Sequence, residues 1–410
     1  SVLDHRFRQY MDDTDIIYAG ECKLDSSNSE HYCRKSVPWG YVRATDLAAA
    51  GSRVLVRTMH GDLNMVVEPD MILTISPMGG VLFCREDDFA KQYRSYPDWK
   101  FRLKDAEYSP TIKVEKTGMV IEPMSKAKIC VPKGKLFIHA RCLDRKVKLF
   151  TETDGEQHYT LGRIGDYLTD DTQQIEGVCI MKKEFFEQTY HRVGVAQEHK
   201  AVIFDLDGTL LDTLEDLKDA TNAALASQGM PQCTLDQVRR YVGNGVRKLM
   251  VRAVPDGEKN PLFEQTFAAF KEYYAAHCLD HTAPYPDVLK VMKELKERGI
   301  KIAIVSNKLD SAVKELNEKF FQGYTSAAIG EMEGVARKPA PDMVEKALRE
   351  LGVTKSDAIY VGDSDVDIQT AKNSGLDCIS VTWGFRDVPF LLEHGAKTMI
   401  DKPLELLSQV

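Results

Sequence analysis

From residue 198 onward four apolar runs, AVIFDL, KIAIVSN, AIYVGD and CISVTW, are each followed by a stretch with helical spacing. Short unbroken apolar runs read as strands buried on both faces, and helices between them are the crossovers that a parallel sheet requires. The second half is therefore expected to be α/β, a doubly wound parallel sheet. The first half has another texture. Short runs such as RVLVRT, MILTI, VLFC, KLFIHA and VKLF alternate with Gly, Pro and Asp, and long helical patterns are few, so a β-rich α+β domain is expected there. The stretch HRVGVAQEHK (191–200) reads as the linker, giving domains over 1–197 and 198–410.

Composition narrows the functional classes. With 410 residues, 43% hydrophobic and 28% charged, the chain has enough apolar material for two or three cores. A formal net charge of -8 argues against nucleic acid and anionic membrane surfaces, both of which favour basic patches. Small-molecule or protein partners are expected instead. Nine scattered cysteines, an odd number with no CxxC pair, indicate reduced thiols. No apolar run approaches the roughly 20 residues of a membrane span, and SVLDHRFRQYM lacks the apolar core of a signal peptide. A cytoplasmic location is the expectation.

The first half contains an internal match. GVLFCREDDFAKQY (80–93) aligns without a gap on GVCIMKKEFFEQTY (177–190), with Phe and Tyr four apart in both; upstream, EPDMILT and GRIGDYLT occupy similar places. Repeat copies are expected near 54–93 and 147–190, each strand, turn, strand and short helix. The Phe–Tyr spacing places both rings on one helical face as a core contact. Gly165, Asp166 and Tyr167 resemble the signature of the small PGDYG module. The first copy lacks that signature, and the module carries no activity over; a ligand or protein partner is the role left open for this half. Cys22, His31 and Cys33 are possible zinc ligands by type, but their spacing fits no common pattern and a fourth ligand is not evident. The lysines of EKTGMVIEPMSKAKICVPKGK read as a solvated strand face.

Four stretches of the second half carry chemistry: FDLDGT (204–209), VSN (305–307), RKPAPD (337–342) and VGDSDVDIQTA (361–371). Each lies at or just past the C-terminal end of an expected strand, the edge where open parallel sheets bind ligands. Asp205 and Asp207, two apart, put two negative charges at one strand tip, which needs a cation or a shared proton. Alternating acids in GDSDVD also suggest a calcium loop, but the Gly and Glu that such a loop requires are absent.

In this order and spacing the motifs resemble those of the haloacid dehalogenase (HAD) superfamily over about residues 199–410, with the nearest likeness to bacterial phosphoglycolate phosphatases. The resemblance implies a Rossmann-like core and a Mg²⁺-dependent phosphomonoester hydrolase acting on a small phosphorylated metabolite. It implies that Asp205 attacks phosphorus to form an aspartyl-phosphate and that Asp207 serves as general acid and then base. Ser306 would hold a phosphoryl oxygen and Lys338 would neutralise charge beside the nucleophile. Gly208, Thr209 and Asn307 would bind the phosphate. Asp205, Asp207 through its carbonyl, and Asp363 would be metal ligands, with Asp367 orienting the shell.

About 95 residues separate FDLDGT from VSN, far more than a crossover needs. Helical stretches near 213–228, 235–253 and 260–279 imply an inserted helical cap over about 213–285. Within YVGNGVRKLMVRA, Gly243 and Gly245 allow close backbone approach, Asn244 between them is a candidate substrate contact, and Arg247 could pair with a substrate carboxylate. The same core residues would also serve a 5′-nucleotidase, a pyrophosphatase or a sugar-phosphate mutase. A regulatory protein whose N-terminal repeats carry the main role is the alternative from another class.

Overall fold

The computed structural model describes residues 14–410 apart from 59–60, 104–107, 134–136, 154, 172–176 and 194–197. The chain divides into two compact units, Ser1–Ala196 and Gln197–Val410; part of the expected linker, 194–197, and the opening stretch 1–13 lie outside the described residues.

The first unit is built on sheets that are antiparallel but for one strand pair, Thr14–Tyr18 beside Lys146–Thr153. One five-stranded sheet runs in the order Val81–Arg85, Met71–Ile75, Trp39–Arg43, Lys128–Pro132, Tyr93–Lys100. Another runs Cys179–Met181, Tyr167–Thr169, Phe137–Cys142, Glu30–Arg34, Tyr190–Arg192. In each, a seven-residue helix, Glu86–Gln92 or Lys183–Thr189, joins the two edge strands. That helix presses a Phe onto the sheet, and the Phe stacks on the Tyr that starts the next strand: Phe89 on Tyr93 with ring centroids 5.2 Å apart, Phe186 on Tyr190 at 4.7 Å. All four rings are buried. The helices end one residue before Tyr93 and Tyr190, because both tyrosines are already extended and paired in strands, with Pro132 and Arg34 respectively.

The second sheet takes its fourth strand from the beginning of the chain, whereas the first takes the corresponding strand, Lys128–Pro132, from downstream. Two smaller sheets complete the unit, one centred on Arg53–Thr58 and Thr111–Val114, the other on Lys146–Thr153 between Thr14–Tyr18 and Glu156–Gly162. Asp166 is buried in a turn, accepting hydrogen bonds from the Arg163 and Lys183 amides at 2.9 and 3.1 Å and from Lys182 Nζ at 3.1 Å. The Gly-Asp-Tyr signature thus ties a turn to a helix start. Buried Arg34 reaches Asp171 with two guanidinium nitrogens at 3.2 and 2.8 Å and donates to the Tyr93 hydroxyl at 2.9 Å. Because Tyr93 belongs to the first sheet and Arg34 to the second, this network joins them.

Among the described residues, Cys22, His31 and Cys33 do not bring three ligand atoms within 4.8 Å of one another. Cys22 packs with Ile17 and Ile180 against an apolar cluster, while His31 faces His139 across paired strands.

The second unit is a six-stranded parallel sheet in the order Ala327–Glu331, Lys301–Leu309, Ala201–Phe204, Ala358–Gly362, Asp377–Val381, Thr398–Ile400. Strand alternation sends Val202 and Phe204 into one core and Ala201 and Ile203 into the other. Helices Val288–Glu297 and Asp310–Phe321 cover the first face; Asp342–Leu351 and Asp365–Ser374 cover the second. The sheet is doubly wound. The strand order reverses direction at Ala201–Phe204, and the loops after that strand and its neighbour Ala358–Gly362 open a crevice at the carboxyl edge, where such sheets take ligands.

Between Asp212 and Ala283 the chain forms helices Leu214–Ser227, Leu235–Tyr241, Val246–Ala253 and Phe263–His277, which enclose their own core around Leu225, Val238, Met250 and Phe270. The paired strands Leu211–Asp212 and Ala283–Pro284 form the stem of this insert. The carboxylate of Asp216, buried, accepts from the His281 and Thr282 amides and the Thr282 hydroxyl, at 3.0, 2.8 and 2.7 Å, and so binds entry to exit. The expected single helix over 235–253 is instead two. Gly243 and Gly245 take φ of 120° and 88°, which an α-helix cannot contain.

Candidate active site

Asp205 follows the buried strand Ala201–Phe204, and its amide donates to Val361 O at 2.9 Å. The chain then turns tightly at Gly208, φ 81°. A Cβ at that position would lie 2.3 Å from Asp363 Oδ2, so a side chain there would displace the acid. Asp363 and Asp367 come from the far side, where the strand Ala358–Gly362 ends and the helix Asp365–Ser374 begins. Ser364 caps that helix, and Asp367 Oδ2 accepts from the Asp363 and Ser364 amides at 3.0 and 3.2 Å. The other Asp367 oxygen is left to face inward.

Lys338 unites the pieces. Its Nζ donates to Asp205 Oδ1 at 2.8 Å, Asp367 Oδ1 at 3.0 Å, Tyr360 OH at 3.0 Å and Val305 O at 3.2 Å. Tyr360 OH donates in turn to Asp367 Oδ1 at 2.6 Å. Asn307 positions the lysine: its side-chain amide donates to Lys338 O at 3.0 Å and its carbonyl oxygen accepts from Lys338 N at 2.8 Å. Ser306 is buried at the same strand end, its hydroxyl accepting from the Lys308 amide at 3.1 Å. Thr209 directs its hydroxyl towards Asp363 Oδ1 at 3.4 Å, and its carbonyl accepts from Trp383 Nε1 at 3.0 Å.

Charge in this crevice is out of balance. Carboxylate oxygens of Asp205, Asp363 and Asp367 lie within 4.8 Å of one another, all buried. Burial, then the charge of Asp367, push the Asp205 carboxyl well up despite Lys338, and the same two causes push Asp363 up to about 7. One ammonium does not neutralise three buried acids. Clustered hard oxygen donors fit a hard divalent cation.

Asp207 lies beside Lys308, with Oδ1 at 3.5 Å from Nζ. Lys308 is buried and also donates to Tyr274 OH at 2.8 Å, a residue of the insert helix Phe263–His277. Burial alone would push the Lys308 ammonium down; Asp207 and Tyr274 more than reverse this and hold it charged. Lys308 went unrecognised in the sequence, although it directly follows VSN. Tyr274 left no signal, because the topology alone brings it there. Tyr360 had one: a hydroxyl inside an otherwise apolar strand needs a partner.

The insert loop expected at 243–247 does meet the core. Arg337 Nη2 donates to Asn244 O at 2.8 Å, and a Cβ on Gly245 would lie 2.1 Å from that nitrogen. Arg386 donates to Arg239 O and Val242 O at 2.9 and 2.5 Å, close under Gly243. Arg247, expected to meet a substrate carboxylate, has acidic partners of its own. Its guanidinium pairs with Glu264 at 2.7 Å and Glu258 at 3.3 Å and lies over the Phe263 ring, all within the insert.

Residues 202–381 match the sequence model of a family described as Haloacid dehalogenase-like hydrolase. The chain is 33% identical over 187 residues to the phosphoglycolate phosphatase of Aquifex aeolicus, covering 45% of this chain and 86% of that protein. It is 37% identical over 203 residues to the phosphoglycolate phosphatase of Rhodobacter capsulatus, covering 48% and 91%. The crystal structure of a putative phosphoglycolate phosphatase from Lactobacillus delbrueckii superposes with a TM-score of 0.50 at 39% identity, covering 52% of this chain and 98% of that one.

Proposed function

We propose that this chain, which belongs to the haloacid dehalogenase-like hydrolases and is a phosphatase, hydrolyses a small phosphorylated carboxylic acid of the phosphoglycolate kind through an aspartyl-phosphate on Asp205. The observation that carries this reading is Lys338, whose ammonium bridges Asp205 and Asp367 at 2.8 and 3.0 Å inside a buried cluster of acids.

Asp205 is the acid at the strand tip with one oxygen held by Lys338, an arrangement that aims the carboxylate while leaving its other oxygen to attack phosphorus. Lys338 and the Ser306 hydroxyl would take up charge that develops on the phosphoryl oxygens. Asp207, two residues on, would protonate the leaving alkoxide and then accept a proton from the attacking water. Lys308 holds Asp207 in place. Asp205, Asp363 and the Asp207 carbonyl would hold Mg²⁺, with Asp367 orienting them; when bound, the ion supplies the positive charge that lets a dianionic ester enter. Gly208 and Thr209 would line the phosphate position, and Asn307 acts through Lys338 rather than on substrate. Gly243, Asn244 and Gly245 form the loop by which the helical insert closes on the core, and with Arg247 engaged by two glutamates, Lys308 is the buried cation best placed near the substrate's own acid.

For the first unit we read the two five-stranded sheets as duplicated halves. Their equal strand order supports this, as do matched contacts: Lys133 Nζ donates to Ala90 O and Lys35 Nζ to Glu187 O, both at 2.5 Å. Phosphate release from 2-phosphoglycolate and a panel of other phosphomonoesters, with Mg²⁺ and with chelator, tests the reading. Turnover of 2-phosphoglycolate above the panel, abolished by chelator and restored by Mg²⁺, is expected; equal turnover across the panel removes the substrate assignment, and undiminished turnover in chelator removes the metal.

A further inference from the structure

In the second sheet of the first unit, His31 on strand Glu30–Arg34 sits directly opposite His139 on strand Phe137–Cys142. Their Nε2 atoms lie 3.0 Å apart. Asp170 sits behind His139: Oδ2 is 3.0 Å from His139 Nδ1, and Oδ1 accepts from the His139 amide at 2.8 Å. A carboxylate can only accept, so Nδ1 of His139 carries the proton and, in the neutral ring, Nε2 presents its lone pair to His31. A carboxylate behind the far nitrogen of an imidazole is the usual outer partner of a metal-bound histidine, fixing ring and tautomer. Two imidazole nitrogens on one tetrahedral ion would be about 3.4 Å apart, from bonds of about 2.0–2.1 Å; the observed spacing is within a few tenths of an ångström of that.

A further observation points the same way. Strand alternation puts Cys33 on the face of His31, and His191 pairs opposite Cys33, but among the described residues neither brings a third ligand atom within 4.8 Å of the two imidazoles, so the pair stands by itself. The opposite side carries Tyr32, Ile138, Ala140 and Phe186, the apolar contact with the helix Lys183–Thr189. In the first sheet the positions matching His31 and His139 are Ile129 and Gly40, which pair in the same register. The architecture therefore does not require imidazoles there. His31, His139 and Asp170 are half-buried, within reach of solvent.

We propose that His31 and His139, with Asp170 behind His139, form a binding site for a borderline divalent metal of the Zn²⁺ class, its open positions filled by water. Imidazole donors select such ions over Mg²⁺, so this site and the acidic crevice of the second unit discriminate between metals.

The test uses the full chain with excess Mg²⁺ and measures Zn²⁺ binding by competition with a chromophoric chelator. The wild type is expected to bind one Zn²⁺ more per chain than H31A or H139A, and D170N to weaken that site by about 10–100-fold. Far-UV circular dichroism and the thermal melt of the full chain, unchanged in H31A and H139A, serve as the folding control, because the two units are separate compact bodies and phosphate release reports only on the second. Should a variant fail that control, the imidazole nitrogen NMR signals of the wild type decide: Zn²⁺ must shift two rings coupled across the sheet. Equal Zn²⁺ stoichiometry and affinity in the wild type and both variants, or imidazole signals indifferent to Zn²⁺, would leave an ordinary N–H···N hydrogen bond between the rings and overturn the proposal.

Discussion

Lys308 shows how a residue with no motif of its own can be set at the reacting end of a site. Its ammonium lies 3.5 Å from Asp207 Oδ1 and 2.8 Å from Tyr274 OH, so one side chain joins the expected acid to the helical insert. Removing one partner of a buried charged contact leaves the other uncompensated. K308M is expected to lower kcat/KM by about 10–100-fold, corresponding to about 1.4–2.7 kcal/mol. Y274F, which keeps the ammonium beside Asp207, is expected to lose less; steady-state kinetics with kcat/KM within twofold of wild type in K308M would remove Lys308 from the reaction. That Asp205, Lys338, Asp363 and Asp367 converge was legible because acids and a lysine at the ends of parallel strands meet at one sheet edge. The partners of Arg247 were not, since a cation in the first turn of a helix reads the same whether it meets a substrate or, as here, Glu258 and Glu264.

Among the elements, the alternation of apolar runs and helical stretches predicted the parallel sheet, because a strand covered on both faces has no polar positions to obscure it. The helical insert was legible from the length of the segment and its helical spacing. Its break at Gly243 and Gly245 was not resolved, since helical spacing of apolar residues continues through both short helices while only the backbone changes hand. Those glycines also permit the contact between loop and core. At Gly245, φ is 88° and an added Cβ would lie 2.1 Å from Arg337 Nη2. With ψ at 163° this backbone is essentially confined to glycine and costs any other residue about 1–3 kcal/mol. G245A is expected to raise KM for the phosphoester several-fold more than it lowers kcat, because it disturbs closure rather than the carboxylates; a KM equal to wild type would mean that the loop does not take part in closure.

For the molecule as a whole, the division near residue 197 followed from the change of texture, but the build of the first unit did not. A strand from the beginning of the chain completes the second sheet, and such long-range pairing leaves no local trace. The second unit contains every residue assigned to the reaction, so residues 198–410 made alone are expected to fold and keep most turnover of small phosphoesters; loss of nearly all turnover on removing residues 1–197 would make the first unit part of the catalytic apparatus. The mechanism itself is tested most directly by acid-quenching a single turnover of the full chain with substrate carrying a radiolabelled phosphoryl group. The label is expected on the protein, in the peptide that contains Asp205, and absent in D205N. Rapid phosphate release with no label trapped on the wild type, or labelling that persists in D205N, would show that Asp205 is not the nucleophile.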